Sequence, residues 1–85
     1  MTEFVIILED GTLYKDVFIK VGKKFAESNS DIYWYLREHS SIEIFNIENI
    51  TFSDMKKKNL LETIKPEKIS KNEIYYFTTS KKYQH

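Results

Sequence analysis

The sequence contains no cysteine, two glycines and one proline. Without cysteine the chain cannot form disulfide bonds, thiolate zinc sites or thiol nucleophiles, so packing alone must stabilise its fold. The scarcity of glycine and proline argues against a long disordered segment, which would be enriched in both. The 85 residues predict a single domain over 1–85, and a chain of this size buries only roughly 60 to 65% of its unfolded surface. A deep catalytic cleft is therefore not expected.

An excess of charge of one sign is also missing, since 13 Lys and Arg residues balance 13 Asp and Glu residues. A strongly basic chain would have indicated a nucleic-acid partner, because phosphate contacts dominate nucleic-acid affinity. The acidic residues are concentrated in positions 1–50 and the lysines in positions 51–85, so the C-terminal third can still carry a local basic face.

Long hydrophobic runs are absent near the N-terminus. The run Phe4 to Leu8 is too short for the core of a signal peptide or for a membrane span. We therefore expect a cytoplasmic protein that does not use a membrane as its partner.

Patterns typical of catalysis or metal binding are not found. His39 and His85 are the only histidines, and neither has further ligands at a spacing that would form a metal site. Glu9 and Asp10 are adjacent carboxylates, but a hairpin tip would leave both in water. Without desolvation, their pKa values are not shifted towards the range that acid–base catalysis needs. No nucleophile–base pair or phosphate-binding loop is visible. The sequence predicts a protein that is not an enzyme and binds no cofactor or metal.

Two apolar runs, residues 4–8 and 12–21, are separated by the turn signal Asp10-Gly11. Glycine tolerates a positive φ and aspartate tolerates left-handed geometry, so this pattern predicts a β-hairpin. Alternation along the second strand predicts one core face, interrupted by Lys15, and one mixed face. The predicted core face is Leu13, Val17, Ile19 and Val21, and the predicted outer face is Tyr14, Asp16, Phe18 and Lys20.

The segment 31–38 (DIYWYLRE) is compatible with either a helix or a strand. A helix would begin at Ser30 or Asp31 and would have an apolar stripe at i, i+3, i+4 and i+7. A strand would point Tyr33 and Tyr35 outward. Because three consecutive aromatic residues lose rotamer freedom in a helix and pack well on a pleated surface, we favour the strand. The helical stripe would consist of Ile32, Tyr35, Leu36 and His39.

The rest of the chain predicts further strands and one helix. The alternating run 42–52 predicts two short strands with a bend between them. A helix is predicted over 53–65, where Pro66 stops it. After a polar connector, residues 73–79 predict a last strand, and 80–85 predict a frayed tail.

Two of these segments resemble parts of Sm-like and Src-homology-type small β-barrels, a group that includes many short bacterial and phage proteins. One is the pattern Asp-Gly-Thr-x-Tyr-x-Asp-Val over Asp10 to Val17, and the other is the run IFNIENI over 44–50. The resemblance covers residues 3–52, and Asp16 stands where Sm-like barrels usually have a glycine. It implies a barrel-like fold. We do not infer from it that this chain assembles into a ring or has the RNA-binding residues of those proteins.

Together these patterns predict an α+β, mostly β fold. Residues 3–52 would form a five-stranded, barrel-like antiparallel meander, followed by the helix at 53–65 and the added strand at 73–79.

Aromatic residues are abundant, with six Tyr, six Phe and one Trp, and they cluster at 33–35 and 75–77. Alternation along a strand points at least one ring of each cluster outward, where it could anchor a protein partner or stack on a base. The alternative interpretation is that a small core without cysteine uses large rings for buried area. The predicted partner-binding residues are Tyr14, Phe18, Tyr33 and Tyr35.

Lysines near the C-terminus could form a basic patch for phosphate groups. A solvated helix face is the more ordinary explanation, because Asp54, Glu62 and Glu67 lie nearby in the sequence. The candidate phosphate contacts are Lys56, Lys57, Lys58, Lys81 and Lys82.

Zero net charge together with exposed aromatic rings suits a protein interface better than a phosphate backbone. We therefore predict a non-enzymatic protein-binding module. By analogy of size and of its Lys-, Ile-, Asn- and Tyr-rich composition, it would be a phage or mobile-element inhibitor of a host or defence protein. The alternative is a small barrel that binds single-stranded nucleic acid through Tyr33, Tyr35 and the C-terminal lysines. Homo-oligomerisation through an unpaired edge of the strand at 73–79 is a further alternative.

Overall fold

A computed structural model of the chain describes residues 1–46 and 64–84. In these residues it contains six strands, two α-helices and one 3-10 turn. The predicted α+β, mostly β fold class is confirmed. The strands are β1 (Phe4–Leu8), β2 (Leu13–Val21), β3 (Lys24–Phe25), β4 (Ser41–Phe45), β5 (Glu67–Ser70) and β6 (Ile74–Thr79). The helices are α1 (Asn29–Glu38) and α2 (Ser80–Tyr83), and the 3-10 turn is Lys71–Glu73.

All six strands belong to one antiparallel sheet with the order β5-β4-β2-β1-β6, and β3 pairs with β2 beside this path. The long strand β2 pairs with β1 through its first half, and with β3 and β4 through its second half. The sheet does not close into a barrel. It also differs from the predicted meander, because β6 returns from the end of the chain to pair with β1.

The core lies on one face of the curved sheet and is covered by α1. Alternate residues of β1, β2 and β4 point into it, as the period of two along a strand requires. Each fully buried side chain of this size stabilises the fold by roughly 1.5 to 3 kcal/mol. The largest fully buried side chains in the described residues include Phe4, Ile6, Ile19, Ile32, Ile42 and Ile44.

The predicted N-terminal hairpin is confirmed. The Gly11 N–H donates to the Leu8 carbonyl at 2.9 Å, and Gly11 has φ +92°. The Asp10 carboxylate accepts a hydrogen bond from the Thr12 N–H at 2.9 Å, and this bond lowers the pKa of Asp10. Turn geometry therefore accounts for both residues of the Asp-Gly signal.

A β-bulge in β2 corrects the predicted faces of that strand. Phe4 pairs with Val17 but Ile6 pairs with Tyr14, so β2 carries one extra residue over this interval. Asp16 lies within this interval and accommodates the extra residue by adopting a φ of +56°. A one-residue shift moves side chains to the opposite face. As a result Leu13 is exposed, while Tyr14 packs against the core.

The strand predicted for 31–38 is wrong, because these residues belong to helix α1. The helix is capped at Ser28, two or three residues before the N-cap at Ser30 or Asp31 that the helical alternative predicted. The Ser28 hydroxyl accepts a hydrogen bond from the Asp31 N–H at 3.4 Å. The Asp31 carboxylate in turn accepts one from the Glu27 N–H at 2.9 Å. These bonds pair backbone donors that have no partner inside a helix.

Packing also favours the helix. Ile32 and Leu36, one helical turn apart, are both buried in the core. Tyr33 and Trp34 remain on the solvent side, so their rings do not have to fit a pleated surface. The period of the apolar residues and the cap therefore outweigh the strand preference of the aromatic residues.

Near the C-terminus the predicted strand at 73–79 is confirmed as β6. The polar connector before it contains β5, which the sequence analysis missed, and the predicted tail at 80–85 contains α2. The predicted helix at 53–65 lies outside the described residues except for 64 and 65, which are not helical. The predicted strand residues 47–52 also lie outside them. Among the helices that the structure describes, none is long and apolar enough to cross a membrane.

Candidate functional site

A groove lies between helix α1 and strand β6. The two elements run antiparallel, and a hydrogen bond joins them at one end and the residues that flank them at the other. The Asn29 side-chain amide donates to the Thr78 hydroxyl at 3.2 Å, and the Lys71 N–H donates to the Ser40 carbonyl at 2.7 Å. Between these contacts the elements separate and leave a volume of ≈ 450 Å³. This α1–β6 groove is lined by Tyr33, Leu36, Arg37, Lys71, Ile74, Tyr75, Tyr76 and Phe77.

The α1–β6 groove follows the edge of β6. Tyr76 and Phe77 are successive strand residues and point to opposite faces, so a groove lined by both runs along the edge of the strand. Strand β6 pairs with β1 on its other side, and no second strand pairs with it in the described part of the chain. In an antiparallel pair alternate residues direct their N–H and C=O groups away from the partner strand. These groups of β6 therefore point away from β1, at the strand edge that the groove follows.

A second β-bulge shapes the start of β6. Ile7 pairs with Tyr76, whereas Leu8 pairs with Ile74, so Tyr75 is the extra residue. Bulges re-aim side chains and increase the local twist of a strand. Here the bulge leaves Tyr75 70% exposed at the rim of the α1–β6 groove.

Four large aromatic side chains are exposed around this groove. Tyr33 and Tyr76 are about half exposed, and Trp34 is 60% exposed. The Tyr33 and Trp34 ring centroids are 5.6 Å apart in an edge-to-face arrangement. The Arg37 guanidinium carbon lies 4.9 Å from the Trp34 ring centroid. Trp34 thus extends the surface of the groove through contacts with two of its lining residues.

The charged side chains that line the groove are all positive. Arg37 and Lys71 line it, and no Asp or Glu does. Neither cation has a carboxylate oxygen within 4.0 Å among the described residues, where the one ion pair joins Lys24 to Asp31. The nearby Glu73 carboxylate is engaged by the Ser70 N–H at 2.8 Å. Both groove cations are therefore available to a ligand.

No protein-family model, curated protein or solved structure matches this chain. The described residues also hold no group of three or more His, Cys, Asp or Glu side chains arranged for a metal ion.

The structure separates the four predicted partner-binding residues. Tyr33 lines the α1–β6 groove. Tyr35, two positions later, lies on another side of α1, where it packs against the core and stacks on His39 with 3.9 Å between ring centroids. Tyr14 is partly buried by the bulge in β2, and Phe18 packs edge-on against Phe25 at 6.5 Å between ring centroids. None of the last three lines the groove.

The Tyr14 hydroxyl has a structural partner. It donates to the Glu67 carboxylate at 2.8 Å, which joins β2 to β5. This hydrogen bond is the main reason that the pKa of Tyr14 is raised. A phenol held by a carboxylate of its own chain is less available to another molecule.

Two of the five predicted phosphate contacts lie in the described residues. Lys81 and Lys82 are exposed on α2 and do not line the groove. The other three, at 56–58, lie outside the described residues.

Of the groove residues, only Tyr33 was predicted from the sequence. The exposed aromatic and cationic residues that were missed are Trp34, Arg37, Lys71, Tyr75 and Tyr76. A helical interpretation of 31–38 would have found two of them. It places Tyr33 and Arg37 at i and i+4, and Trp34 and Arg37 at i and i+3, so that all three share one surface. The cluster at 75–77 was visible in the sequence, but its position beside α1 depends on the pairing of β6 with β1.

Proposed function

We propose that this protein is a non-enzymatic protein-binding module and that the α1–β6 groove is its contact surface. The observation that carries this proposal is the grouping of four exposed aromatic side chains and an arginine around one groove. Tyr, Trp and Arg are the residues most enriched at the energetic centres of protein interfaces. Single exposed apolar residues are ordinary, but a contiguous patch next to an open strand edge indicates an interaction site.

The zero net charge supports a protein partner, because a chain without net positive charge gains less of the phosphate attraction that dominates nucleic-acid affinity. The proposal includes a cytoplasmic location, which the absence of cysteine supports. It also includes an inhibitory role against a host or defence protein, of the kind that phages and mobile elements encode. A module of this size without catalytic groups would inhibit by occupying a partner's surface.

Partner capture from a host lysate tests the proposal. We expect Trp34→Ala and Tyr75→Ala each to reduce the amount of captured partner at least tenfold, because each removes a large ring from the contact surface. Tyr83→Ala is the matched control, since Tyr83 is an exposed tyrosine on α2 that does not line the groove. Equal capture by the folded wild-type protein and both groove variants would contradict the proposal.

A second candidate function is binding of single-stranded nucleic acid, which the Arg37 and Trp34 contact favours. Exposed rings next to a guanidinium can stack on bases, and cations in the same groove can contact phosphates. Titration with fluorescent oligonucleotides at about 50 mM and about 200 mM salt separates the two candidates. No binding at the lower concentration would exclude the nucleic acid. Tight binding with a steep salt dependence that Arg37→Ala abolishes would favour it over the protein partner.

A further inference from the structure

The two walls of the α1–β6 groove offer different kinds of contact. Strand β6 offers backbone N–H and C=O groups along an edge that no other described strand covers, and such groups readily pair with a further strand. Helix α1 offers the side chains of Tyr33, Leu36 and Arg37. An extended chain that pairs with β6 would therefore place its side chains against α1. The four lining residues of β6, Ile74 to Phe77, set the length of this pairing to a short segment.

The charge of the groove is concentrated at one end. Arg37 lies in the last turn of α1, and Lys71 lies just before β6, where its N–H bonds to Ser40. Both cations therefore mark the end at which α1 finishes and β6 begins. The remaining lining residues are apolar or aromatic. The groove thus has one cationic end and one apolar end.

These ends fix the order of residues in a bound segment. Antiparallel pairing is more common and slightly more stable per residue than parallel pairing. A segment antiparallel to β6 ends where β6 begins, so its C-terminal part lies beside Arg37 and Lys71. Its carboxylates are then expected after its apolar residues along the chain.

A second copy of this protein is a poor occupant. Its β6, Ile74–Thr79, contains no carboxylate that could meet the cations of the groove. Its β6 also lies beside its own α1 across the same groove, so a second copy would have to bring that helix with the strand. A single extended segment meets neither obstacle.

We propose that the α1–β6 groove binds a short extended peptide segment of a partner protein, added antiparallel to β6, in which apolar residues precede one or more acidic residues. The apolar side chains lie beside Tyr33 and Phe77, and the carboxylates lie beside Arg37 and Lys71. This inference rests on the proposed protein-binding function and adds to it the chemistry of the partner.

Selection from a random-peptide display library on the full-length protein tests the order of residues. We expect enriched peptides to carry apolar residues followed by Asp or Glu, and their affinity to fall at least tenfold in the double variant Arg37→Glu and Lys71→Glu. Both substituted side chains are exposed, so far-UV circular dichroism should match that of the wild type. The double variant Lys81→Glu and Lys82→Glu makes the same charge change outside the groove and should keep the affinity.

Backbone methylation of the selected peptides tests the strand pairing. A strand donates hydrogen bonds to its neighbour only through alternate residues. N-methylation of the peptide residues whose N–H groups face β6 should therefore abolish binding. N-methylation of the residues that alternate with them should leave the affinity within about threefold. Equal loss at both sets of residues would overturn the strand addition.

Other results would overturn the inference in distinguishable ways. Enriched peptides without acidic residues, or affinity unchanged in the Arg37→Glu and Lys71→Glu variant, would exclude the proposed charge pairing. Doubled mass in light scattering that Tyr75→Lys abolishes would show a second copy in the groove. Oligonucleotide binding without any enriched peptide would assign the groove to nucleic acid. Loss of lysate capture in groove variants without peptide enrichment would retain the proposed function and reject the extended segment.

Discussion

The backbone of Asp16 decides which side chains of the first hairpin reach solvent. Its φ of +56° lies in the left-handed region, which costs an ordinary residue about 1 to 2 kcal/mol. Aspartate tolerates this region better than most residues, and glycine tolerates it best. The bulge at this position turns Tyr14 towards the core and Leu13 towards solvent. The conformation of one residue therefore turns a predicted binding tyrosine partly into the core.

The effect of a substitution at Asp16 on the free energy of unfolding should depend on how well the new residue tolerates a positive φ. We expect Asp16→Val to lower the free energy of unfolding by about 1 to 3 kcal/mol, because a β-branched residue is strained at positive φ. Asp16→Gly should leave stability unchanged or raise it by up to about 1 kcal/mol. Lys15→Val is the matched control, since Lys15 is exposed and does not have a positive φ. Urea denaturation of the four proteins measures these differences, and equal effects of valine at both positions would contradict the assigned strain.

At the scale of single elements, helix α1 depends on a cap that holds Asp31 in its charged form. The Glu27 N–H bond is the main cause that lowers the pKa of Asp31 from its ordinary value of 3.8, and the charge of Lys24 lowers it further. Because the pKa is lower in the folded state, the charged carboxylate stabilises the fold above the unfolded pKa. This contribution is lost as the pH falls through the folded pKa.

Asp31→Asn should therefore lower stability at pH 7 by less than about 1 kcal/mol, since the group is partly exposed and solvent screens its charge. The difference from the wild type should shrink as the pH falls below 3.8. Glu38→Gln removes the same charge from the last turn of α1 and should not reduce stability at pH 7, because a carboxylate is unfavourable near that end of a helix. Thermal unfolding between pH 2 and pH 7 measures both differences. A pH-independent loss in Asp31→Asn would contradict the role of its charge.

The elements differ in how far local sequence could predict them. The first hairpin was predictable because its turn chemistry, Asp10 and Gly11, acts within four residues. Helix α1 was mispredicted because its cap begins at Ser28, before the aromatic cluster that suggested a strand. Strand β5 was missed because Ile69 is its one buried residue. Its pairing with β4 depends on contacts far along the chain.

The candidate site was even less predictable, because it belongs to no single element. Tyr33 was named from the sequence, but its neighbours across the groove lie about forty residues later and reach it through the pairing of β6 with β1. The bulge that exposes Tyr75 also follows from that pairing. Local patterns therefore identified candidate residue types for an interface, and the sheet topology determined which of them meet.

For the whole molecule, stability and binding are assigned to separate sets of large side chains. The core contains Phe4, Val5 and Ile6 with no exposed surface, whereas Trp34 and Tyr75 are mostly exposed beside an edge of β6 that no other described strand covers. If the exposed rings existed for stability, their removal would expose core atoms or leave a cavity. The contacts of Trp34 with Arg37 and Tyr33 are surface contacts, which contribute little to folding.

We therefore expect Trp34→Ala and Tyr75→Ala each to change the free energy of unfolding by less than about 1 kcal/mol while they abolish partner capture. Phe4→Ala is the stability control and should cost about 3 to 5 kcal/mol, because it leaves a cavity in the core. Urea denaturation of the purified variants measures these values in the absence of any partner. A loss above about 2 kcal/mol in Trp34→Ala would mean that the exposed rings stabilise the fold, and the loss of capture would then follow from unfolding. A small loss of stability together with lost capture assigns the aromatic surface to binding.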